Sequence, residues 1–284
     1  MNTIGIHGMV WVGGFTPDEA RTAISNSAKA GYALIELPPV DPRTVDLDLT
    51  RALLADHGLR PAATLGLDDA TDVSSDDPAV VDAGRRRLRD AVTLIGELGG
   101  SFLGGVIYSK LGRYTAPVTE RGRAHSVESI ALLADEAAKA DITIGLEVVN
   151  RYETNVLNTV EDALRFTQDV GRDNVKLHLD TYHMNIEERS FREAILAADA
   201  AGMLGYVHVG ESHRGQLGTG SVPWDETFTA LKDVDYDGVI TFESFSSKVV
   251  HPTLSSVLSI WRNTWEDSYE LAVGAREFLR QNIA

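Results

Sequence analysis

The sequence contains no cysteine, and that absence excludes disulfides, thiolate zinc sites, iron–sulfur clusters and thiol nucleophiles together. Basic residues are scarce as well: 26 Lys and Arg stand against 42 Asp and Glu, a formal net charge of −16. Such a surface repels phosphate backbones and anionic lipid, so neither nucleic acid nor a membrane is expected as a partner. Long apolar runs are missing too, none approaching the roughly 18 residues of a membrane span. The start, Met1 to Gly8, has neither the basic lead nor the apolar core of a secretory signal. The expected location is the cytoplasm. Any metal must be held by His, Asp and Glu.

What is present, 43% apolar and 24% charged residues in a chain of 284, is enough for a large buried core. No linker, charge block or low-complexity run divides it, and one domain over residues 1–284 is expected. Short β-branched or apolar runs alternate with longer segments of helical spacing, the pattern of βα units and a parallel sheet. Candidate strands lie at Ile4 to His7, Leu34 to Leu37, Ala62 to Leu65, Phe102 to Ile107, Ile142 to Val148, Val175 to Asp180, Tyr206 to Val209 and Val239 to Phe242. Helix starts are marked by Thr16 Pro17 Asp18 Glu19 and by Asp77 Pro78, each a capping side chain followed by a first-turn proline.

An open doubly wound sheet would carry a spaced glycine triplet after its first strand. The residues there are His7 Gly8 Met9 Val10 Trp11 Val12 Gly13 Gly14, which fit neither a dinucleotide nor a nucleotide-phosphate loop. The α/β reading that remains is a closed (β/α)8 barrel at about 35 residues per unit. Chemistry should then collect at the carboxyl ends of the strands.

Polar residues do collect there. The fifth strand runs into Glu147, the sixth ends His178 Leu179 Asp180, the seventh ends His208 Val209 Gly210 Glu211, and the eighth ends Phe242 Glu243. Neighbouring parallel strands lie about 4.8 Å apart, so Glu147, Asp180, His208 and Glu243 can converge at the barrel mouth. Taken singly, each carboxylate is as easily a helix cap or a solvated loop acid, and the histidine a hydrogen-bonded core residue. Taken together they close apolar strands, where an unpaired buried charge costs several kcal/mol and a cation removes the cost. Three carboxylates and one imidazole suit Mn²⁺ best, with Mg²⁺ or Co²⁺ as alternatives. No organic cofactor is indicated.

The segments Glu147 Val148 Val149 Asn150 Arg151 Tyr152 Glu153 Thr154, His178 Leu179 Asp180 Thr181 Tyr182 His183 Met184, His208 Val209 Gly210 Glu211 Ser212 His213 Arg214 Gly215 and Phe242 Glu243 Ser244 Phe245 closely resemble the ketose 3-epimerases of the xylose isomerase-like barrels. These are the enzymes acting on D-tagatose, D-psicose (allulose) and L-ribulose. The resemblance extends to Ser74 Ser75 Asp76 Asp77 Pro78 and to Ser259 Ile260 Trp261 Arg262 Asn263, the latter expected on a helix. It implies one divalent metal per subunit on Glu147, Asp180, His208 and Glu243, with Glu147 and Glu243 also the acid and base. It implies Glu153, His183 and Arg214 as contacts to substrate oxygens, a small-molecule ketose as substrate, and homodimers or homotetramers. Without it, Glu153, His183 and Arg214 are equally ordinary loop polarity.

The implied chemistry is inversion at C3. That hydrogen is α to the ketose carbonyl, so its removal gives a cis-enediolate, and return of a proton to the other face requires two acid/base groups on opposite sides. His7 and Trp11, after the first strand, are expected to wall the pocket. The turn Leu217 Gly218 Thr219 Gly220 Ser221 resembles a weak phosphate cradle, although the acidic balance favours an uncharged sugar. The rivals are an aldose–ketose isomerase of the hydroxypyruvate isomerase kind and a non-catalytic sugar-binding barrel. A DNA-repair endonuclease would need more histidines and a basic groove.

Overall fold

The computed structural model describes residues 2–38 and 45–283. Eight strands close into a barrel in chain order: β1 (Thr3–His7), β2 (Leu34–Leu37), β3 (Arg60–Leu67), β4 (Phe102–Lys110), β5 (Thr143–Val148), β6 (Val175–Asp180), β7 (Leu204–Val209) and β8 (Val239–Phe242). All pairings are parallel, and β1 closes on β8 through Thr3 opposite Val239 and Ile6 opposite Phe242. The strand ends expected from the sequence hold to within a few residues.

The helices between strands start where the capping chemistry places them. Thr16 accepts from Glu19 N, and the Glu19 side chain returns the bond to the Thr16 backbone, opening the helix Pro17–Lys29. Asp77 caps Pro78–Glu97 through Ala79 N, and Thr159 caps Val160–Val170 through Asp162 N. In the last of these Val160, Ala163, Phe166, Thr167 and Val170 are buried, a stripe at helical spacing that lies on the barrel. Burial of the Phe166 ring alone is worth about 2–3 kcal/mol.

Inside the barrel the lower layer is sealed. Leu34, Ala62, Phe102 and Tyr206 pack together, with the Phe102 and Tyr206 rings stacked at 4.0 Å and 12°. Gly145 makes this possible, because a β-carbon there would collide with the Phe102 ring. This packed layer fills the barrel beneath its carboxyl-terminal mouth.

The segment around Trp261 departs from expectation. The helix after β8 spans Pro252–Val257 and stops; Ser259 takes φ 55° and Ile260 N donates to Ser255 O at 2.8 Å, a left-handed termination. Trp261 then lies 73% exposed in a loop rather than on a helix, while Trp265 donates from Nε1 to Ser244 Oγ at 2.8 Å. Among the described residues no helix is long and apolar enough to cross a membrane.

Candidate active site

Side chains of a strand alternate between the two faces, and on most strands that period sets a polar or ionisable residue above the lower layer. Gly5 is followed by His7, Leu34 by Glu36, Ala62 by Thr64, Gly145 by Glu147, Tyr206 by His208, and Thr241 by Glu243. On β6 the inward pair is His178 and Asp180, whose register partners are Glu147 and His208. The mouth thus carries six buried ionisable groups, His7, Glu36, Glu147, Asp180, His208 and Glu243.

Four of them meet. Glu147, Asp180, His208 and Glu243 each offer a ligand atom, and these atoms all lie within 4.8 Å of one another. His208 Nε2 donates to Glu36 Oε2 at 2.9 Å, which turns Nδ1 toward Glu243 Oε1 at 3.4 Å and Glu147 Oε1 at 3.8 Å. Nδ1 is buried and has no hydrogen-bond partner. An orphaned imidazole nitrogen facing three carboxylates fits a divalent cation with a preference for oxygen and nitrogen donors.

Without a cation the charges are in conflict. Burial, reinforced by Glu243 and Asp180 against the opposing pull of His208, holds the Glu147 carboxyl well above the usual carboxylate range. Burial likewise raises Glu243 to about 7, despite His208 and Arg214. Burial disfavours charge on His208, yet Glu36 and Glu243, with Glu147, outweigh it and lift the imidazole to about 10. A bound divalent ion reverses this logic, since it favours the deprotonated form of every ligand.

The remaining expected residues stand around the cluster. Arg214 Nη1 donates to Glu243 Oε2 at 2.6 Å and to Asp180 Oδ2 at 3.3 Å, and its guanidinium lies 3.6 Å over the Tyr182 ring. His183 Nε2 sits 3.6 Å from Asp180 and 3.9 Å from Glu147, while its Nδ1 accepts from Asn150 Nδ2 at 2.8 Å and from Asn150 N at 3.2 Å. These two shorter contacts place the ring proton on the inward-facing Nε2, whose longer contact, 3.4 Å, is to Arg214 Nη2. Burial keeps the His183 ring neutral-leaning, with its pKa below the ordinary value against the pull of Glu153 and Asp180. Glu153 accepts from Asn150 Nδ2 at 2.9 Å. His7, Glu147, Glu153, His183, Arg214 and Glu243 line one cleft at the barrel mouth.

Trp11 does not wall this cleft. Its ring is buried behind β1, where Nε1 donates to Ser27 Oγ at 2.9 Å. The non-polar wall is made instead by Met9, Leu65, Val106, Phe245, Leu254 and Leu258. The turn with a weak resemblance to a phosphate cradle is closed from within: Glu211 Oε2 accepts from Gly218 N and Trp224 Nε1, each at 2.9 Å, and Oε1 from Ser212 N at 2.9 Å and Val222 N at 3.3 Å. Gly220 is required there, since a β-carbon would strike the Glu211 carboxylate.

Residues 24–276 match the family described as the xylose isomerase-like TIM barrel. The chain is 52% identical over 277 residues to the L-ribulose 3-epimerase of Methylomonas sp. (strain DH-1), covering 98% of this chain and 96% of that one. It belongs to the ketose 3-epimerases of that barrel family. A ketose 3-epimerase of Arthrobacter globiformis is 50% identical over 280 residues, 99% of this chain and 96% of its own. The crystal structure of the Methylomonas sp. D-allulose 3-epimerase in complex with D-allulose superposes with a TM-score of 0.97 at 52% identity, over 99% of this chain and 97% of that one. The chain is accordingly an isomerase.

A reading of strand ends gives no role to two buried residues of this epimerase. Glu36 lies inside β2, not at its end, with an apolar neighbour on each side. His178 sits beneath His208, ring centroids 4.0 Å apart at 87°; neither of its nitrogens has a hydrogen-bond partner, and burial holds it neutral. A lone acid in a strand that is otherwise apolar was the available signal for Glu36.

Proposed function

We propose that the protein inverts C3 of free ketoses through a cis-enediolate, with Glu147 and Glu243 exchanging protons with C3 from opposite faces. Substrates of the type D-allulose/D-fructose, D-tagatose/D-sorbose and L-ribulose/L-xylulose follow from the relatives' names and from the resemblance at the strand ends. The observation that carries the reading is the convergence of Glu147, Asp180, His208 and Glu243 within 4.8 Å, beneath the donors of His183 and Arg214.

These four residues would hold one divalent ion, Mn²⁺ by preference and Mg²⁺ or Co²⁺ as alternatives, which when bound supplies Lewis-acid polarisation of the ketose oxygens. The protein's own groups divide the remaining work. Glu147 approaches from β5 and Glu243 from β8, with Asp180 and His208 between them, so a sugar across the mouth presents one face of C3 to each carboxylate. Either can take the proton while the other returns one, with roles reversed for the epimer. The guanidinium of Arg214 and the Nε2–H of His183 donate to the oxygen on which negative charge grows, and being held by Tyr182, Asn150 and Asp180 they need little reorganisation. Glu153 can accept from a terminal hydroxyl. The non-polar wall excludes water from the carbanion-like centre. The same reading includes dimeric or tetrameric assembly, which light scattering checks.

The deciding experiment is epimerisation of D-fructose or L-ribulose in D₂O with Mn²⁺ present. Deuterium at C3 of the product ketose, none at C1 and no aldose is the expected result. Label at C1 or C2 with aldose formation makes the protein an aldose–ketose isomerase instead.

A further inference from the structure

Glu36 is wholly buried in β2, and the chemistry above does not use it. Its Oε2 accepts the Nε2–H of His208 at 2.9 Å. Its Oε1 accepts the Thr64 hydroxyl at 2.7 Å and faces His7 Nε2 at 3.4 Å. His7 Nδ1 in turn accepts from Met9 N at 3.1 Å, so the His7 proton resides on Nε2, which hydrogen-bonds Thr64 Oγ1 at 3.4 Å. The carboxylate is therefore clamped by donors from β3 and β7, with His7 of β1 holding the Thr64 hydroxyl from behind.

We propose that Glu36 is the positioning residue of the metal centre: it takes the Nε2–H of His208 and so fixes the ring in the rotation and tautomer that present a bare Nδ1 to Glu147, Asp180 and Glu243. The inference rests on the metal reading of that cluster. A neutral imidazole carries one proton, and a ring free to flip or tautomerise would turn an N–H rather than a lone pair toward the cation for part of the time. A carboxylate on the far nitrogen removes that alternative and makes the near nitrogen a stronger donor. His178 braces the ring edge-on from below at 4.0 Å. The two partners are 172 residues apart in sequence, so it is the closed barrel that brings them together.

The rival role for Glu36 is that of a ligand, because His7, Glu36 and Glu243 also offer atoms within 4.8 Å of one another. Both Glu36 oxygens already accept hydrogen bonds, which favours positioning. A purely architectural role would lower the melting temperature without changing the metal affinity of the folded protein.

Metal-stripped wild type and Glu36→Gln are titrated with Mn²⁺, free ion being read by electron paramagnetic resonance and folding by circular dichroism. The expected result is one ion per chain in both, with the dissociation constant about 10- to 100-fold weaker in the variant. Equal affinity in a folded variant overturns the inference, as does loss of a second equivalent of Mn²⁺, which would make Glu36 a ligand. If the variant does not fold, long-range ¹H–¹⁵N correlation on Mg²⁺-saturated wild type decides: the His208 proton must be on Nε2, and a proton on Nδ1 overturns the assignment. A wild type that binds no Mn²⁺ defeats the metal reading and this inference with it, whereas a wild type that binds it no better than Glu36→Gln defeats only the role of Glu36.

Discussion

Arg214 donates to Glu243 across 2.6 Å from a backbone held at φ 60°, a left-handed conformation that costs a residue with a side chain about 1–2 kcal/mol. The strain is held in place from both sides. Arg214 N donates to Glu211 O at 2.8 Å, and its carbonyl accepts from Ser244 Oγ at 2.5 Å and Thr264 Oγ1 at 3.3 Å. The guanidinium thus reaches the mouth on a short, rigid loop rather than from a mobile tip.

Arg214→Ala is expected to lower kcat/KM by about 10²–10³, most of it in kcat, because a preorganised donor to a developing oxyanion is worth roughly 2.7–4 kcal/mol. His183→Ala should behave alike. Both variants should still bind Mn²⁺ in a calorimetric titration. Wild-type kinetics in both would place the sugar elsewhere in the barrel.

Glu147→Gln and Glu243→Gln each retain an oxygen donor while removing the proton acceptor. Each is expected to reduce epimerisation by at least about 10³, and each should still exchange the C3 proton of whichever epimer faces the surviving carboxylate. Single-turnover exchange in D₂O, read by NMR for both epimers, checks this. A rate near that of the parent with metal bound would require a single mobile base or a retro-aldol route.

Metal affinity should rise with pH. In the metal-free protein Glu243 titrates near 7 and His208 near 10, and both must release protons for a cation to bind, so protons compete at neutral pH. Between pH 6 and 8 the Mn²⁺ dissociation constant should tighten by at least about 100-fold, tenfold per pH unit for each proton released. The charge on His208 also stabilises the metal-free fold, because its folded pKa lies above the unfolded value. That contribution is complete below about pH 6.5 and is lost as pH rises through about 10. His208→Ala should weaken Mn²⁺ binding more than about 100-fold and flatten the pH dependence; an unchanged affinity would remove His208 from the ligand set.

Glu211→Ala leaves Gly218 N, Val222 N, Ser212 N and Trp224 Nε1 without their acceptor. The expected loss is roughly 3 kcal/mol of stability, visible as a lower midpoint in urea, with an increase in KM as the Arg214 turn loosens. Glu211→Gln should recover part of both. A stable variant with unchanged KM would separate this loop from substrate binding.

The barrel and the four converging residues were legible because period, capping and strand-end polarity all reported the same arrangement: Thr16 and Asp77 marked helices that formed, and Glu147, Asp180, His208 and Glu243 each interrupted an apolar pattern. What escaped has a physical reason in each case. Glu36 is polar on the inward face of a four-residue strand, where β2 offers too few positions for its periodicity to register. Trp11 follows His7 closely in sequence, but the short helical turn Gly8–Val10 rotates it away from the cleft. Trp261 and its neighbours have residues compatible with a helix, and the left-handed Ser259 ends it before they are reached. The glycine-rich turn after β7 looked open to an anion because the acid that fills it lies seven residues upstream of Gly218.

That internal carboxylate bears on what the turn itself can hold. A phosphate ester arriving at Leu217–Ser221 would find its seat taken by a group covalently tethered beside it, and a tethered competitor acts at an effective concentration that free metabolites do not match. The amides of Gly218 and Val222 are already committed to Glu211, and that of Ser221 to the Ser212 hydroxyl, so this turn is a closed internal joint that ties the end of β7 to the helix behind it rather than a vacant seat for an anion.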